Sequence, residues 1–446
     1  MSRRGGRPRP GKKPRRAGTI DPARVAAFRA LRRVSSEGAY ANLAGTDEFA
    51  SLDGRDADFA TELLHGTTRF QGTYDRIIAS ASGRSLTAFQ PEVVDVLRLA
   101  AHQGLSMRVP DHAAVAASVE LARRVVGERV TGLVNAITRK IVARPLEEWT
   151  ASLAEGRSDI DALAVQHHHP AWIVDAFCAA LDVTPTDPEL VALLDADNRA
   201  PRTALAVRPG LCTVAELEAR GAEPMEISPY GAWWAGNPAA VPEVVTGRAG
   251  VQDPGSQVCA RTLADADAPA GPWLDLCAGP GGKAALLTGL ARRAGADLVA
   301  AERAPHRAGL VRKALRAYPE PPPVLIADGT APPWRCGAFA KVMADVPCSG
   351  LGALRRRPEA RWRKDPADLD ELVPLQRALL HSALDALMPG GVAAYVTCSP
   401  HRAETVGVVE TVLGERPGFT LEHQHQLWPH RDGTDAMFCA LVRKQR

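Results

Sequence analysis

The stretch Leu274-Asp275-Leu276-Cys277-Ala278-Gly279-Pro280-Gly281-Gly282-Lys283 decides the fold of this chain. The apolar run 273–277 predicts a buried strand, and residues 283–294 carry leucines at helical spacing. Strand, glycine-rich turn and helix form the opening unit of a nucleotide-binding α/β sheet, where glycines let the backbone approach a ligand. The spacing matches neither G-x-G-x-x-G nor a P-loop, so this turn alone could also be an ordinary tight connection.

Four more strands are predicted, and each ends in a polar side chain. The runs 298–301, 324–327, 342–344 and 392–396 end in Glu302, Asp328, Asp345 and Thr397-Cys398, respectively. An acid at one strand end is commonly a solvated turn residue or a helix cap. Three such acids in series favour a ligand site at the carboxyl edge of an open parallel sheet. In such a sheet the fourth and fifth strands should be neighbours.

Length and composition set the class of protein. The 446 residues allow two or three domains, and 46% hydrophobic with 24% charged residues is ordinary for a soluble globular protein. The net charge of +3 gives no global basic field, so any nucleic-acid affinity must come from local patches. No apolar run of about 18 residues predicts a membrane span, and no secretory signal is recognisable. Eight cysteines without a C-x-x-C pair predict a reduced, cytoplasmic protein with no metal.

Residues 1–20 are predicted to be a disordered basic tail, because residues 1–17 contain eight Arg or Lys and no acid. Two interpretations of this tail remain open. It is an electrostatic arm that contacts RNA phosphates, or a solubilising segment without a required role.

Residues 21–145 are predicted to form an all-α domain. Pro22 after Asp21 is a favourable helix start, and Val25, Phe28, Leu31 and Val34 give the first helix an apolar face. Further helices are predicted at 58–68, 74–80, 91–103, 112–126 and 130–142. Two interpretations remain open for seven arginines of this block, which either line one surface or are scattered solvated charges. They are Arg29, Arg32, Arg33, Arg69, Arg123, Arg124 and Arg139.

This helical block resembles the NusB family of RNA-binding antitermination factors. The resemblance is carried by Arg24-Val25-Ala26-Ala27, Phe59-Ala60-Thr61-Glu62-Leu63-Leu64-His65-Gly66-Thr67, Asp111-His112-Ala113-Ala114-Val115 and Val134-Asn135-Ala136-Ile137-Thr138-Arg139. It implies a helical domain that docks RNA or protein, and it implies no chemistry.

Residues 146–250 are predicted to be a linker with a small α+β segment. The stretch 145–161 is expected to be a polar connection, and residues 188–251 alternate short apolar runs with Gly and Pro. The triplet His167-His168-His169 invites a metal site, but adjacent side chains point in different directions and no other ligand cluster is evident. Four polar side chains could meet RNA or could be solvated loop residues: Asn198, Arg199, Arg202 and Arg208. The turn 251–257 either folds over the mouth of the sheet or only starts a helix.

Two cysteines are the decisive chemical feature. Cys348, in Asp345-Val346-Pro347-Cys348-Ser349-Gly350, follows the fourth strand, and Cys398, in Tyr395-Val396-Thr397-Cys398-Ser399-Pro400, ends the fifth. Both thiols should open on one cleft. The remaining cysteines are interpreted as small core residues: Cys178, Cys212, Cys259, Cys336 and Cys439.

Methylation of cytosine at carbon 5 is chemistry that would need such thiols. Carbon 5 is a poor nucleophile, and a thiolate that adds to carbon 6 activates it. An acid must support the charge that develops on the ring, and a base must remove the proton at carbon 5. The attacking thiol needs a lowered pKa, for which Lys283 and Arg355 to Arg357 are candidate cations. The residues alone do not decide which thiol attacks.

Residues 251–446 resemble the Sun/Fmu (RsmB-like) group of RNA cytosine-5 methyltransferases in the NOL/NOP/Sun family. The matching stretches are residues 275–283, Asp328-Gly329, Asp345-Val346-Pro347-Cys348-Ser349-Gly350, Arg355-Arg356-Arg357-Pro358-Glu359-Ala360-Arg361-Trp362, Thr397-Cys398-Ser399 and Gly433-Thr434-Asp435-Ala436-Met437-Phe438. The resemblance implies a multidomain chain with an all-α NusB-like domain, a small α+β segment and an α/β Rossmann-like catalytic domain that uses S-adenosylmethionine.

The resemblance also implies residue roles. The donor would be cradled by Cys277, Ala278, Gly279, Pro280, Gly281, Gly282 and Lys283. Glu302 would hold its ribose, Asp328 would lie by the adenine, and Asp345 would bridge donor and cytosine. Cys398 would be the nucleophile and Cys348 would help to release the product. The loop 355–362, with four arginines and an aromatic ring, is interpreted as an RNA contact or as a solvated basic loop.

The expected function is 5-methylcytosine formation in RNA, with small-subunit (16S) ribosomal RNA as the favoured partner and no membrane contact. Alternatives are the same chemistry on transfer RNA or another ribosomal site, or a NusB-like RNA-binding protein whose sheet is inactive. The intact Cys348, Cys398 and Asp345 argue against the inactive form. The oligomeric state is open, and a monomer would suffice.

Overall fold

The computed structural model describes residues 21–446, which divide into two compact units. The predicted basic tail lies outside the described residues. The first unit comprises residues up to 67 together with 77–145, and the second comprises 68–76 together with 146–446. Within residues 21–446, no helix has the length and apolar character that crossing a membrane requires.

The first unit is all-helical, as the sequence predicted. Seven α-helices lie between Pro22 and Val142. Asp21 caps the first helix, whose face of Phe28, Leu31 and Val34 is buried, and Gly38 ends it with φ 71°. The helices are α1 (Pro22–Glu37), α2 (Ala41–Phe49), α3 (Gly54–Arg69), α4 (Gln71–Ser82), α5 (Pro91–Leu105), α6 (Asp111–Val125) and α7 (Thr131–Val142). Residues 68–76 end α3 and begin α4, but they belong to the second unit.

The helix α2 has no counterpart in the sequence prediction. It buries only Ala41, Ala44 and Gly45, so it lacks the large apolar side chains that make helical spacing visible. Its Asn42 and Thr46 are also weak helix formers.

The stretch 145–161, predicted to be a polar connection, contains two helices instead. Trp149 and Ala154 are buried on α8, and Ser158 caps α9 with its side chain. Two further helices follow, and the last three of the four share a core with Leu351, Leu354 and Trp428 from later in the chain. The four helices are α8 (Leu146–Ala154), α9 (Asp159–Gln166), α10 (Ala171–Leu181) and α11 (Pro188–Asp197).

A small antiparallel sheet accounts for the predicted α+β segment. Its strands are β1 (Thr203–Val207), β2 (Glu223–Pro224), β3 (Gly231–Trp234) and β4 (Ala249–Val251), in the order β2-β3-β1-β4, with helices α12 (Val214–Glu218) and α13 (Pro242–Val245). Leu205 and Val207 of β1 pack with Leu217 and Ala232 in its core. Short apolar runs of this segment, at 203–207 and 232–234, are therefore strands of the small sheet.

A seven-stranded sheet forms the rest of the second unit. Its order is β10-β11-β9-β8-β5-β6-β7, in which β9, β8, β5, β6 and β7 are parallel and β10 and β11 are antiparallel. The strands are β5 (Trp273–Asp275), β6 (Leu298–Glu302), β7 (Val324–Ile326), β8 (Phe339–Asp345), β9 (Leu387–Thr397), β10 (Phe419–Gln426) and β11 (Phe438–Lys444). The fourth and fifth predicted strands, β8 and β9, are neighbours, which confirms the prediction.

Helices cover both faces of this sheet. One core packs Leu286, Leu287 and Leu290 of α15 on one face, and the other packs Leu379 and Leu380 of α18 on the opposite face. The helices are α14 (Pro254–Asp265), α15 (Gly282–Arg293), α16 (Pro305–Leu315), α17 (Ala360–Arg363), α18 (Asp368–Ala386), α19 (Val406–Glu415) and α20 (Pro429–Asp432). The doubly covered sheet is the Rossmann-like fold that the sequence predicted.

Two helical glycines give a matched test of this packing. Gly289 in α15 lies against Pro209, so that a Cβ would meet the Pro209 carbonyl oxygen at 2.5 Å, whereas a Cβ at Gly309 in α16 would meet no described atom within 4 Å. We expect Gly289→Ala to lower the free energy of unfolding by about 1–3 kcal/mol because overpacking outweighs helix propensity. Gly309→Ala should raise it by up to about 1 kcal/mol. Urea unfolding of both variants measures this, and equal effects would contradict the packing.

Candidate active site

The two thiols lie together at the ends of neighbouring strands. Cys348 follows β8, Cys398 follows β9, and their Sγ atoms are 3.4 Å apart. Both side chains are partly exposed. Gly352 fixes the position of Cys398, because its N–H donates to the Cys398 carbonyl at 2.9 Å. A Cβ at Gly352 would collide with the Ala436 carbonyl, so only glycine fits between these segments.

The surroundings make the two thiols chemically unequal. Their mutual hydrogen bond, the largest influence, lowers the pKa of Cys398 and raises that of Cys348 well above its usual value. Burial and the charge of Asp345 oppose the shift at Cys398, whereas the charge of Lys283 favours the Cys398 thiolate. Burial and Asp345 also raise the pKa of Cys348. These directions favour Cys398 over Cys348 as the thiolate, a choice that residue types alone could not make.

Lys283 and Asp345 form a pair beside these thiols. The Lys283 Nζ atom donates to Asp345 Oδ2 at 3.0 Å, and the lysine side chain is only 8% exposed. Burial is the largest single influence and lowers the pKa of Lys283, but the charge and hydrogen bond of Asp345 together with the charges of Cys259 and Cys398 outweigh it, so the net pKa is raised. The Lys283 ammonium group therefore stays charged and holds the Asp345 carboxylate at the end of β8.

The glycine-rich turn is tied to the end of β6. The Gly279 N–H donates to Glu302 Oε2 at 3.1 Å, and the Ala304 N–H donates to Glu302 Oε1 at 2.9 Å. Gly281 has φ 112° and precedes α15, and a Cβ there would meet Ala314 Cβ at 2.6 Å. The turn therefore presents bare main chain, and the first N–H groups of α15 follow it.

Asp275 is a site residue to which the sequence analysis gave no role. It is fully buried at the end of β5, and neither carboxylate oxygen has a hydrogen-bond partner among the described residues. Burial, together with the charge of Asp345, raises the pKa of Asp275 to about 8. The sequence signal for a functional role of Asp275 was its position as an acidic residue inside the apolar run Trp273 to Cys277.

The other predicted donor-site residues are near the same edge. Asp328 follows β7, accepts from the Thr330 N–H and hydroxyl, and lies 3.5 Å from Arg303 Nε. These bonds to Thr330 lower the pKa of Asp328. Burial raises the pKa of Cys277 well above its usual value, so this side chain is a neutral thiol.

The loop 355–362 is in part a structural anchor, because its Arg355 and Arg361 are buried and do not face solvent or RNA, whereas Arg356 and Arg357 are exposed. Arg361 is fully buried and donates to the His168 carbonyl and to Asn198 Oδ1, both at 2.8 Å. The Trp362 Nε1 atom donates to the Thr68 carbonyl at 2.9 Å, and Arg356 is paired with Asp435. The loop therefore connects the helices α9–α11 to the sheet domain through buried hydrogen bonds.

The polar residues considered for RNA or metal have mostly internal partners. Among the histidines, Nδ1 of His167 contacts Asp195 at 2.8 Å, Nδ1 of His168 contacts Thr73 at 3.0 Å, and Nδ1 of His169 contacts the His167 carbonyl at 2.5 Å. The triplet therefore points in three directions, as expected from adjacent side chains. Arg208 is buried and Arg202 is paired with Glu223, while Arg199 is exposed.

Glu404 is a buried carboxylate that the sequence analysis missed. Its Oε1 accepts from the Ser349 N–H at 2.7 Å and from Gln376 Nε2 at 2.9 Å, and its carbonyl accepts from the Tyr395 hydroxyl. Ser349 follows Cys348, so Glu404 ties the first thiol loop to the segment after Cys398. No sequence pattern marks Glu404, which lies six residues after Cys398, because its hydrogen-bond partners come from three different elements.

Two family models match the sequence of this chain. The model "16S rRNA methyltransferase RsmB/F" matches residues 262–443, and the model "NusB family" matches residues 21–143. Two Mycobacterium tuberculosis proteins, named "Putative methyltransferase" MT1451 and Rv1407, are each 45% identical to the chain and align with 95% of it and 97% of their own length. The chain belongs to the RsmB/F methyltransferase family.

Further matches are more distant in sequence. Ribosomal RNA small subunit methyltransferase B from Sodalis glossinidius is 28% identical, over 90% of this chain and 90% of that protein. The crystal structure of PH0851 covers 96% of this chain and 99% of its own, with a TM-score of 0.79 at 21% identity. NSun6 from Pyrococcus horikoshii, solved with SFG, covers 62% of this chain and 98% of its own, with a TM-score of 0.52 at 16% identity. These two solved structures share the fold of this chain over the regions that they cover.

The inequality of the thiols predicts a pH profile. Iodoacetamide should alkylate Cys398 faster than Cys348 near neutral pH, because the thiolate is the nucleophile. Cys348→Ala removes the hydrogen-bond partner, so the pKa of Cys398 should rise and the midpoint of its alkylation should move to higher pH. Peptide mass spectrometry gives both rates, with the exposed Cys336 as internal reference. An unmoved midpoint in the variant would contradict the role of that hydrogen bond.

The anchor loop predicts a stability difference between two nearby arginines. Arg361→Ala would orphan the buried His168 carbonyl and Asn198 amide and leave a cavity, so we expect a loss of about 3 kcal/mol or more in unfolding free energy. Arg363→Ala, in the same short helix but exposed, should change it by about 0.5 kcal/mol or less. Denaturant titration followed by tryptophan fluorescence compares them. Similar losses would show that the buried contacts contribute little.

Proposed function

We propose that this chain transfers a methyl group from S-adenosylmethionine to carbon 5 of a cytosine in RNA, with 16S ribosomal RNA as the favoured substrate. The observation that carries the proposal is the pair of unequal thiols, Cys348 and Cys398, 3.4 Å apart at the ends of adjacent parallel strands. A methyltransferase that acted on an exocyclic amine or a hydroxyl would have no use for two thiols at the strand ends.

The proposed order of events assigns one role to each thiol. The Cys398 thiolate adds to carbon 6 of the cytosine, and the electron pair of the 5,6 double bond becomes available at carbon 5. The electron pair at carbon 5 would form a bond to the methyl carbon of S-adenosylmethionine, and S-adenosylhomocysteine would leave with the electrons of the broken carbon–sulfur bond. Removal of the proton at carbon 5 restores the double bond and expels the Cys398 thiolate. Cys348, whose Sγ lies within hydrogen-bond reach of Cys398, acts in this release.

The residues around the glycine-rich turn fit a methyl donor with an amino acid group and a sulfonium. The bare main chain at Gly279 and Gly281 leaves room for close approach, and the N-terminus of α15 suits a carboxylate. Asp275, buried and without a partner among the described residues, is an acceptor available to an ammonium group. We place Glu302 at the ribose and Asp328 at the adenine, in line with their positions at the next two strand ends.

Asp345 is proposed to face both the donor and the cytosine. It lies at the end of β8 between the turn and the thiols, and Lys283 holds its carboxylate. The pair can stabilise charge that develops on the ring when the thiolate adds. The cytosine must leave its stack to reach this cleft, because carbons 5 and 6 must contact donor and thiol together.

The choice of 16S ribosomal RNA has independent support. The matching family model is described as a 16S rRNA methyltransferase, and the relative from Sodalis glossinidius is named for small-subunit ribosomal RNA. The NusB family match over residues 21–143 is consistent with an RNA-docking domain. Transfer RNA is the alternative substrate that the experiment below includes.

Trapping of the covalent intermediate tests the proposal. Cys348→Ala, Cys398→Ala and the control Cys336→Ala are each incubated with S-adenosylmethionine and unmodified 16S RNA, and then run on a denaturing gel. We expect a protein–RNA adduct with Cys348→Ala, no adduct with Cys398→Ala, and wild-type methylation with Cys336→Ala. An adduct only with Cys398→Ala would reverse the roles. Failure of the wild type on 16S RNA but not on transfer RNA would overturn the substrate.

A further inference from the structure

Three side chains that the proposed reaction does not use converge behind the cleft. Cys259, His425 and Cys439 each point one ligand atom to a common centre, and these atoms all lie within 4.8 Å of one another. The sequence analysis treated the two cysteines as core residues and gave His425 no role. Two thiols and an imidazole in one place form a set of metal ligands, so their meeting needs an explanation beyond core packing.

The sheet itself brings His425 and Cys439 together. The two residues are directly opposite each other in the antiparallel pair β10–β11, where side chains on one face lie close. A register shift between Leu421 and His423 sets this pairing. Without the extra residue in β10, His425 would lie opposite Phe438, whose side chain packs in the core on the other face. The bulge therefore directs His425 to the Cys439 side of the sheet.

Cys259 reaches the same point from the covering helix. It lies on α14, is fully buried, and belongs with Cys439 to the core between α14, α15 and the sheet. The cluster thus has two fully buried sulfurs. His425 is partly exposed on the edge strand β10, which gives an ion a route from solvent.

The imidazole of His425 is oriented in the way that metal ligands usually are. Its Nδ1 lies 3.3 Å from Nε2 of His423, and its Nε2 is buried. A ligating histidine commonly uses one ring nitrogen for the metal and bonds the other to an outer partner that fixes the tautomer. The Cys259 thiol lies within hydrogen-bond reach of the Cys439 and His425 side chains, so the three groups are close enough to share one ion.

We propose that Cys259, Cys439 and His425 bind a zinc ion, with one coordination position left for water or another small ligand. Zinc accepts two thiolates and an imidazole in tetrahedral geometry. In tetrahedral geometry, zinc–sulfur bonds of about 2.3 Å place two sulfur ligands roughly 3.8 Å apart, so ligand atoms that lie within 4.8 Å of one another would complete the site by moving up to about 1 Å. Two thiolates neutralise the ion, which removes the net charge from a buried place.

The site lies behind the donor-binding turn and connects to it through charge. Lys283, which holds Asp345, also interacts electrostatically with Cys259 and Cys439. Zinc would tie the edge strand β10 and its neighbour β11 to α14 and would keep the two thiols from oxidation. Its removal should therefore loosen this edge of the sheet, while the separate pair of Cys348 and Cys398 keeps its chemistry.

Metal content and cobalt spectroscopy test the site. Full-length protein with its affinity tag removed is produced in zinc-supplemented medium, and bound metal is measured by mass spectrometry. We expect about one zinc per chain in the wild type and in Cys336→Ser, and far less in Cys259→Ser, Cys439→Ser and His425→Gln. Cobalt loaded into the emptied wild type should give thiolate charge-transfer and intense tetrahedral absorption bands, and these should be lost in His425→Gln. A strong chelator should lower the Tm of the wild type.

His425→Gln keeps the proposal falsifiable if the buried cysteine variants fail to fold, since its side chain is partly exposed at the sheet edge. Cys348→Ser is a second control, because it removes a thiol outside the cluster and should leave the cobalt spectrum unchanged. The proposal is overturned if the wild type neither carries zinc nor gives tetrahedral cobalt bands. It is also overturned if His425→Gln gives the wild-type spectrum, or if unreduced protein contains a Cys259–Cys439 disulfide.

Discussion

The parallel pairing of β8 with β9 is the constraint on which the rest of the catalytic domain depends. Parallel neighbours end at the same edge of a sheet, so the loop after β8 and the loop after β9 must share a space. Asp345 and Val396 are paired in register, and the chain continues from them to Cys348 and Cys398, 3.4 Å apart. A different strand order would separate these thiols, whatever their local sequences.

Buried polar contacts convert that coarse proximity into a defined geometry. Glu404 joins the Cys348 loop to the segment after Cys398, and Arg361 fastens the anchor loop 355–362 from inside. A buried charge is costly without partners, and removing one partner leaves the other unsatisfied. Such networks therefore tolerate few alternative arrangements, which suits a site whose two thiols must differ in acidity by position.

Local sequence pattern was enough wherever a signal is carried by a single segment. Six of the seven α-helices of the NusB-like block, the glycine-rich turn and the polar residues at strand ends were predicted, because spacing, capping and strand termination act within a few residues. The failures have separate causes. The helix α2 buries only small residues, and the anchor loop was assigned to RNA because arginines were assumed to face solvent. Arg361 faces carbonyl groups instead, supplied by residues nearly 200 and nearly 300 positions earlier in the chain.

The sequence by itself determined the two-part architecture, the order of the strands along the chain and the two thiols that follow β8 and β9, because each is written in a local pattern or motif. Only the tertiary structure favours Cys398 as the more acidic of the two, since the pKa shift depends on one hydrogen bond, on burial and on the opposing charges of Asp345 and Lys283. It also decided that Cys259, His425 and Cys439 meet. Their convergence follows from a bulge in β10 and the packing of α14, and neither leaves a pattern in residues so far apart.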